Sequence, residues 1–322
     1  LCNCDDPYES NFFKYFAMNF NALGLKKLIT TCYAISPVTG REFQYSVDKD
    51  GLLSFIPSVV NTTTQEENVR NPYKVEITEV TDENGDGRID LSDVEYLMRN
   101  KKNTMTLLNG DGDFRSPECV ELLKEADIVV TNPPFSLFRD YVALLMQYNK
   151  QFTIIGNQNA ITYREVLPLI RDSKVWLGYN NGHFWFRVPD SYEEKKTDLK
   201  IDESGQKWRR MGNICWFTNL DIEKRHEDMT LFRTYTPEAY PKYDNYDAIE
   251  VSRTADIPCD YYGIMGVPIT YIQYFNPNQF ELLGDSRYHD GQDFSDDINV
   301  INGKTLYRRI LIRRKLVNTN EN

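Results

Sequence analysis

Apolar and polar positions along the first half of the chain follow two alternating periods. Short β-rich runs at Leu1 to Cys4, Leu28 to Cys32, Thr104 to Leu108 and Ile128 to Thr131 are interleaved with segments such as Phe12 to Phe20, Cys119 to Lys124 and Phe138 to Met146, whose apolar residues recur at helical spacing. Phe152 to Ile155 adds another short, wholly apolar strand pattern. Strands separated by helices are joined by crossovers, so the pattern predicts an α/β protein with a doubly wound, mostly parallel sheet.

Two departures from this rhythm set the expected domain plan. Between Cys32 and Thr104 the chain exceeds an ordinary crossover and carries Tyr45, Val47, Leu52, Phe55 and Ile56, then Val75 to Val80, which predicts an insertion at about 40–103 holding a hairpin or two. After Asp172 aromatic-rich strands follow, at Val175 to Gly178, Phe184 to Val188 and Ile214 to Thr218, as expected for an antiparallel end to the sheet. Within Phe184-Trp185-Phe186, alternation favours packing of the two phenylalanines and exposure of the tryptophan. From Asp221 onward Pro, Tyr and Asp become frequent and periodicity fades. The expected plan is a first domain over 1–220 and a smaller, loop-rich region over 221–322.

The composition is that of a globular protein, 41% hydrophobic and 26% charged over 322 residues. The longest apolar runs fall far short of the ~20 residues that span a bilayer, so no membrane partner is expected. The six cysteines are scattered, with no CxxC pair or nearby histidine cluster, which argues against zinc or a disulfide framework and fits reduced thiols in a cytoplasm. The chain opens at Leu1 inside an apolar stretch, and an upstream segment is expected. Nothing in the sequence fixes an oligomeric state, and a monomer is compatible with it.

The chemistry concentrates where the strand Asp127-Ile128-Val129-Val130-Thr131 runs into Asn132-Pro133-Pro134-Phe135 and then a helix. Two prolines remove two backbone donors and stiffen the loop, leaving the Pro133 carbonyl to face the crevice at the carboxyl end of a parallel strand. A base amine is a poor nucleophile because its lone pair is delocalised into the ring. An Asn132 side-chain oxygen and a Pro133 carbonyl, each accepting one amine hydrogen, draw the nitrogen toward tetrahedral geometry and free the lone pair. Phe135 is placed to stack on a base taken out of its helix. No cysteine stands here as a nucleophile, against ring-carbon methylation of cytosine.

With this loop, the opening Leu1-Cys2-Asn3-Cys4-Asp5-Asp6-Pro7-Tyr8, Gly112-Asp113-Phe114-Arg115-Ser116, Trp216-Phe217-Thr218-Asn219-Leu220-Asp221 and Arg309-Ile310-Leu311-Ile312-Arg313-Arg314-Lys315, nearly the whole chain resembles the EcoRI-type adenine-specific DNA methyltransferases. The resemblance implies a Rossmann-like methyltransferase sheet with a C-terminal target-recognition region. It also implies S-adenosylmethionine as donor and an adenine amine in a short double-stranded DNA site as acceptor, in the setting of restriction-modification. An aromatic cofactor motif is then expected upstream of Leu1. Methylation of a cytosine amine, an RNA base or a protein glutamine stays open on the loop chemistry alone, as does a non-catalytic DNA-binding relative.

On the same resemblance Asp5, Asp6, Pro7 and Ser10 stand where the methionine part of the cofactor binds, although the usual glycines are replaced by Ser10, Asn11 and Phe12. The second strand ends in Thr30-Thr31-Cys32 and lacks the acid that often holds the ribose. Asp113 and Phe114 match the positions that accept from the adenine amine of the cofactor and cover its face.

Two further patterns stand apart from the reaction. Asp82, Asn84, Asp86, Asp90 and Asp93, with Gly87 at the turn, have the spacing of a Ca²⁺-binding loop, but the preceding Val75 to Val80 reads as a strand where such a loop needs a helix. A net charge of -11 sits awkwardly with a DNA substrate. The strip Lys304, Arg308, Arg309, Arg313, Arg314 and Lys315 is the local exception and the candidate for phosphate contacts.

Overall fold

The computed structural model describes residues 1–4, 10–33, 44–47, 53–56, 72–99, 104–188, 198–289, 292–293 and 298–316. The chain forms an α/β fold with mixed parallel and antiparallel pairing and divides into two compact units, Leu1–Ile155 and Gly156–Asn322.

The strands of the first unit are β1 (Leu28–Thr31), β2 (Gln44–Val47), β3 (Leu53–Ile56), β4 (Tyr73–Ile77), β5 (Thr104–Leu107), β6 (Ile128–Thr131) and β7 (Gln151–Asn157). Its helices are α1 (Asn11–Met18), α2 (Leu91–Arg99), α3 (Pro117–Glu125) and α4 (Phe138–Gln147). The opening residues lie between β1 and β6. Cys2 N donates to Ile29 O (2.8 Å) and Thr31 N to Cys2 O (3.3 Å); on the other side Leu1 N donates to Ile128 O (2.7 Å) and Val130 N to Leu1 O (2.9 Å). Both sets have the slanted pattern of parallel pairing, so Leu1–Asn3 act as a short central strand. β6 continues the parallel run into β7.

Thr104 to Leu108, expected to extend the parallel sheet, is separated from β1 by an added strand. β4 pairs antiparallel with both β1 and β5, so β1 and β5 point the same way with β4 between them. A chain returning after a long insertion needs no crossover helix, and β4 is free to pair antiparallel. The expected hairpin appears as β2 against β3. Phe13 and Ala17 of α1, Val94 and Leu97 of α2, and Leu28, Val75, Ile77 and Met105 of the strands form one buried cluster. Helix starts are chemically marked: the Ser10 hydroxyl accepts from Phe13 N (3.4 Å) and that of Ser116 from Cys119 N (3.3 Å), with Pro117 in the first turn of α3.

The second unit contains α5 (Leu167–Arg171) and the strands β8 (Trp176–Arg187), β9 (Leu199–Ile201) and β10 (Lys207–Thr218). The two runs read separately at Val175 and Phe184 merge into the single strand β8, which pairs antiparallel with β10 as the aromatic-rich pattern predicts. Packing of both phenylalanines is not observed: Phe186 is 37% exposed beside Trp185 at 40%, because no described residue covers its ring at this end of the strand.

The region after Asp221 carries more regular structure than its fading periodicity suggests. It holds β11 (Ala248–Glu250), β12 (Ile264–Pro268), β13 (Phe280–Asp285), β14 (Tyr288–His289), β15 (Gln292–Asp293), β16 (Val300–Ile301), β17 (Lys304–Thr305) and β18 (Arg309–Arg314). Six of these form a sheet in the order β11-β12-β18-β13-β14-β15. Ile310, Leu311 and Ile312 are fully buried in β18 near its middle. The strands are too short, and their joining segments too rich in Pro and Asp, for alternation to register along the sequence.

Candidate active site

The loop Asn132–Phe135 leaves the carboxyl end of β6. Val129 and Thr131 anchor the strand at 0% and 1% exposure. Chemistry and structure are then divided residue by residue: Asn132 is exposed, Pro133 is buried, and Phe135 is 40% exposed. Pro134, at φ -57° and ψ 123°, turns the chain, and Leu137 N donates to Pro134 O (2.9 Å), closing a 3₁₀ turn over Phe135–Leu137 that leads into α4. Proline geometry thus fixes the backbone while the two side chains with affinity for a planar amine face outward.

Neighbouring strand ends are tied to this loop through Asn3, which the sequence reading left without a role. Its backbone carbonyl accepts from the Thr131 hydroxyl and its side-chain oxygen from the Tyr141 hydroxyl, within the buried interior. Tyr141 in turn packs edge-to-face on Phe114, with ring centroids 4.9 Å apart. Asn3, Thr131, Tyr141 and Phe114 thereby link the ends of two parallel strands, the helix after the loop and the Asp113 turn. The only sequence signal for Asn3 is an amide inside an apolar strand, which is a demand for buried partners.

Asp113 and Phe114 serve that turn in different ways. Phe114 is buried at 4% exposure, so its ring supports the turn from beneath. The Asp113 carboxylate accepts Arg115 Nε on one oxygen (2.9 Å) and Arg115 Nη2 on the other (2.8 Å), and the Arg115 guanidinium holds the Asp113 carboxyl below the usual carboxylate range. Arg115 also reaches Asp140 in α4 (3.2 Å). Asp113 Oδ1 also accepts from Arg115 N (2.8 Å), so it is Oδ2, with one donor, that keeps acceptor capacity for a further one.

The turn depends on Gly112. Its φ is 78°, and a Cβ there would lie 2.2 Å from the Cys32 carbonyl oxygen at the end of β1. Gly112→Ala therefore meets both backbone strain and a collision with main chain. We expect it to destabilise the protein by about 1–3 kcal/mol and to displace Asp113, read as a lower Tm together with weaker binding of S-adenosylmethionine in calorimetry. A variant with unchanged Tm and binding would show that the turn has another way to close.

Of the other anticipated positions, Asp5, Asp6 and Pro7 lie outside the described residues. Ser10 caps α1. Cys4 holds a left-handed φ of 78°, which side-chain-bearing residues adopt at a cost. At the end of β1 the Thr30 and Thr31 hydroxyls are buried without a hydrogen-bond partner, and no acid stands there.

The calcium-like loop satisfies itself. Asp82 accepts from Gly85 N and Gly87 N (both 2.7 Å) and Asp86 from Arg88 N (2.9 Å). Asp93, fully buried, accepts from Glu83 N and reaches back to Asp90 N (both 2.9 Å), the latter a reciprocal cap for α2. No cluster of three or more metal-binding His, Cys, Asp or Glu side chains forms among the described residues.

The basic strip is largely committed inside its own sheet. Arg308 pairs with the fully buried Asp285 (2.7 Å), Arg309 with Glu250 (2.6 Å) and Arg313 with Glu281 (2.8 Å), while Arg314 lies 5.2 Å from the Tyr262 ring centre. Lys304 and Lys315 are exposed. No helix among the described residues is long and apolar enough to cross a membrane.

Comparison with known proteins places the chain in a family. A family model described as "Adenine-specific methyltransferase EcoRI" matches residues 1–315. The chain is 46% identical over 318 residues to the type II methyltransferase M.EcoRI of Escherichia coli, covering 98% of this chain and 85% of that protein. It is 32% identical over 339 residues to the type II methyltransferase M.MpnI of Mycoplasma pneumoniae, covering 98% and 87%. A third relative, the type II methyltransferase M.MgeORF184P of Mycoplasma genitalium, is 33% identical over 335 residues, covering 98% and 88%. No solved structure gives a significant match.

Proposed function

The chain belongs to the EcoRI family of adenine-specific methyltransferases, and from that premise we propose that it methylates N6 of adenine in a short double-stranded DNA site, using Asn132–Phe135 as the amine-binding loop. The observation that carries the residue assignment is the exposure of Asn132 and Phe135 on either side of a buried Pro133 at the end of a parallel strand. Side chains held outward by a rigid loop are arranged for a ligand rather than for packing.

In this reading S-adenosylmethionine supplies an electrophilic methyl carried on a sulfonium. Asn132 Oδ1 and the Pro133 carbonyl each accept one hydrogen of the adenine amine, which localises its lone pair. The N–C bond forms as the C–S bond breaks, the sulfonium leaving as a neutral thioether, and the amine then gives its surplus proton to solvent. Phe135 stacks on the extruded base, offsetting part of the cost of unstacking it.

The residues present fit the donor. Asp113 keeps acceptor capacity for an exocyclic amine, and Phe114 with Arg115 holds it in place. We assign the methionine part of the donor to Asp5, Asp6 and Pro7, which lie outside the described residues, and to Ser10, which acts by setting the start of α1. We place catalysis and cofactor binding in 1–220, with the insertion at about 40–103, and target recognition in 221–322, where Lys304 and Lys315 are the members of the basic strip best suited to phosphates. The deciding assay is transfer of a labelled methyl to duplex DNA followed by nucleoside analysis. N6-methyladenine is the expected product, and methylcytosine or unmodified DNA would sink the reading.

A further inference from the structure

β8 and β10 change character along their length. At one end they are core, with Leu177, Ile214, Cys215 and Phe217 at 6%, 7%, 0% and 0% exposure. The register then slips between Met211 and Ile214, where Asn213 takes a φ of 57°. Such a bulge bends and twists a strand pair. Past it, β8 and β10 continue with β9 added at the edge of β10, and large apolar side chains come into the open: Trp185 40%, Phe186 37%, Met211 41% and Ile201 55% exposed.

Register sorts the side chains of this ribbon onto two faces, with Trp185 exposed on one and Phe186 and Met211 on the other. Residues directly opposite one another share a face, so Trp185 with Arg210, and Arg187 with Trp208 and Lys200, lie on one side; Phe186 with Arg209 and Leu199, and Phe184 with Met211, lie on the other. Large apolar side chains exposed together on one ribbon mark a binding surface. The first face carries Arg187, Lys200 and Arg210 against two carboxylates, Asp198 and Asp202, the latter accepting from Trp208 Nε1 (2.7 Å). Lys200 Nζ sits 4.5 Å from the Trp185 ring centre and 5.9 Å from that of Trp208. Arg210 is neutralised by Asp198 (2.9 Å), whereas Arg187 and Lys200 pair with no carboxylate of a described residue.

We infer that this ribbon, around Trp185, Arg187, Lys200 and Trp208, enters a groove of duplex DNA and supplies phosphate and base-edge contacts. The inference rests on the reading of duplex DNA as substrate and deepens it by naming the element that grips it. Cations beside the exposed Trp185 indole and the half-buried Trp208 complement a polyanion whose groove offers base edges and apolar thymine methyls. A β-ribbon has the dimensions of the major groove, about 12 Å wide. A chain of net charge -11 must gather its positive potential locally, and three arginines of the Lys304–Lys315 strip are already committed to Asp285, Glu250 and Glu281.

The test is fluorescence anisotropy of a labelled mixed-sequence duplex across a salt series, using the full chain and two variants. R187Q/K200Q should flatten the slope of log K against log salt by about 2 and weaken binding about 10–100-fold at low salt. W185A should weaken binding about tenfold with the slope unchanged. Both variants should keep the wild-type Tm and S-adenosylmethionine binding. Wild-type affinity and slope in the variants would overturn the ribbon assignment alone. A wild-type protein that binds no duplex at any salt would overturn the substrate reading as well. Variants that dissociate a dimer in sedimentation while gripping DNA normally would give the ribbon to a second copy of the chain and overturn the inference.

Discussion

Asn132→Ala is expected to lower kcat about 10²–10³-fold, with Tm and S-adenosylmethionine affinity close to wild type. The magnitude follows from removing one of two preorganised acceptors at the reacting nitrogen, a loss comparable to deleting a single oxyanion-hole contact. Stability should hold because Asn132 is exposed and the loop backbone is set by Pro133, Pro134 and the Leu137-to-Pro134 hydrogen bond, none of which involves the amide side chain. Surface changes of this kind usually move stability by no more than about 0.5 kcal/mol. The split between kcat and KM is informative: an acceptor that acts as the amine pyramidalises should lower kcat more than it raises KM for DNA. Asn132→Asp, which keeps an accepting oxygen, should recover part of the loss. Single-turnover methylation on duplex DNA measures both, and an alanine variant with full turnover would remove Asn132 from the amine contact.

That this loop was legible in the sequence, while its supports were not, follows from chain separation. Strand, double proline, aromatic and helix are contiguous between Ile128 and Gln147, so local propensity and the active-site chemistry are written in one stretch. The contact from Tyr141 to Asn3 spans 138 positions, and nothing near either residue announces the other. The same holds for β4: a strand is legible at Val75 to Val80 and forms at Tyr73–Ile77, but its antiparallel place between β1 and β5 depends on how the insertion returns. Phe186 illustrates a different limit. Alternation says which residues share a face, whereas burial of that face requires a second layer, and past the bulge at Asn213 Trp185 on one face and Phe186 on the other are exposed.

Arg309 lies in the basic strip expected to contact phosphates, and it carries the largest expected effect on stability. Its guanidinium clamps Glu250 through Nε (2.9 Å) and Nη2 (2.6 Å), while the Tyr243 hydroxyl donates to the other carboxylate oxygen (2.6 Å). Burial, reinforced by Glu250, pushes the Tyr243 hydroxyl far above its ordinary range, so it remains a donor. Gly266 makes room for this ring: a Cβ there would lie 1.9 Å from the Tyr243 hydroxyl. Side-chain exposure is 3% for Glu250 and 13% for Arg309. Arg309→Ala strands a buried carboxylate with a single neutral donor, and we expect a loss of about 3–5 kcal/mol, seen in urea unfolding and as a lower Tm. Replacing both partners, Glu250→Leu with Arg309→Leu, should recover much of that loss, because the penalty lies in the unpaired charge rather than in the absent pair. A phosphate-binding arginine behaves in the opposite way, leaving stability alone and flattening the salt dependence of DNA binding. If Arg309→Ala melts like wild type but binds DNA with a shallower salt slope, the ion pair is dispensable and the arginine belongs to the DNA surface.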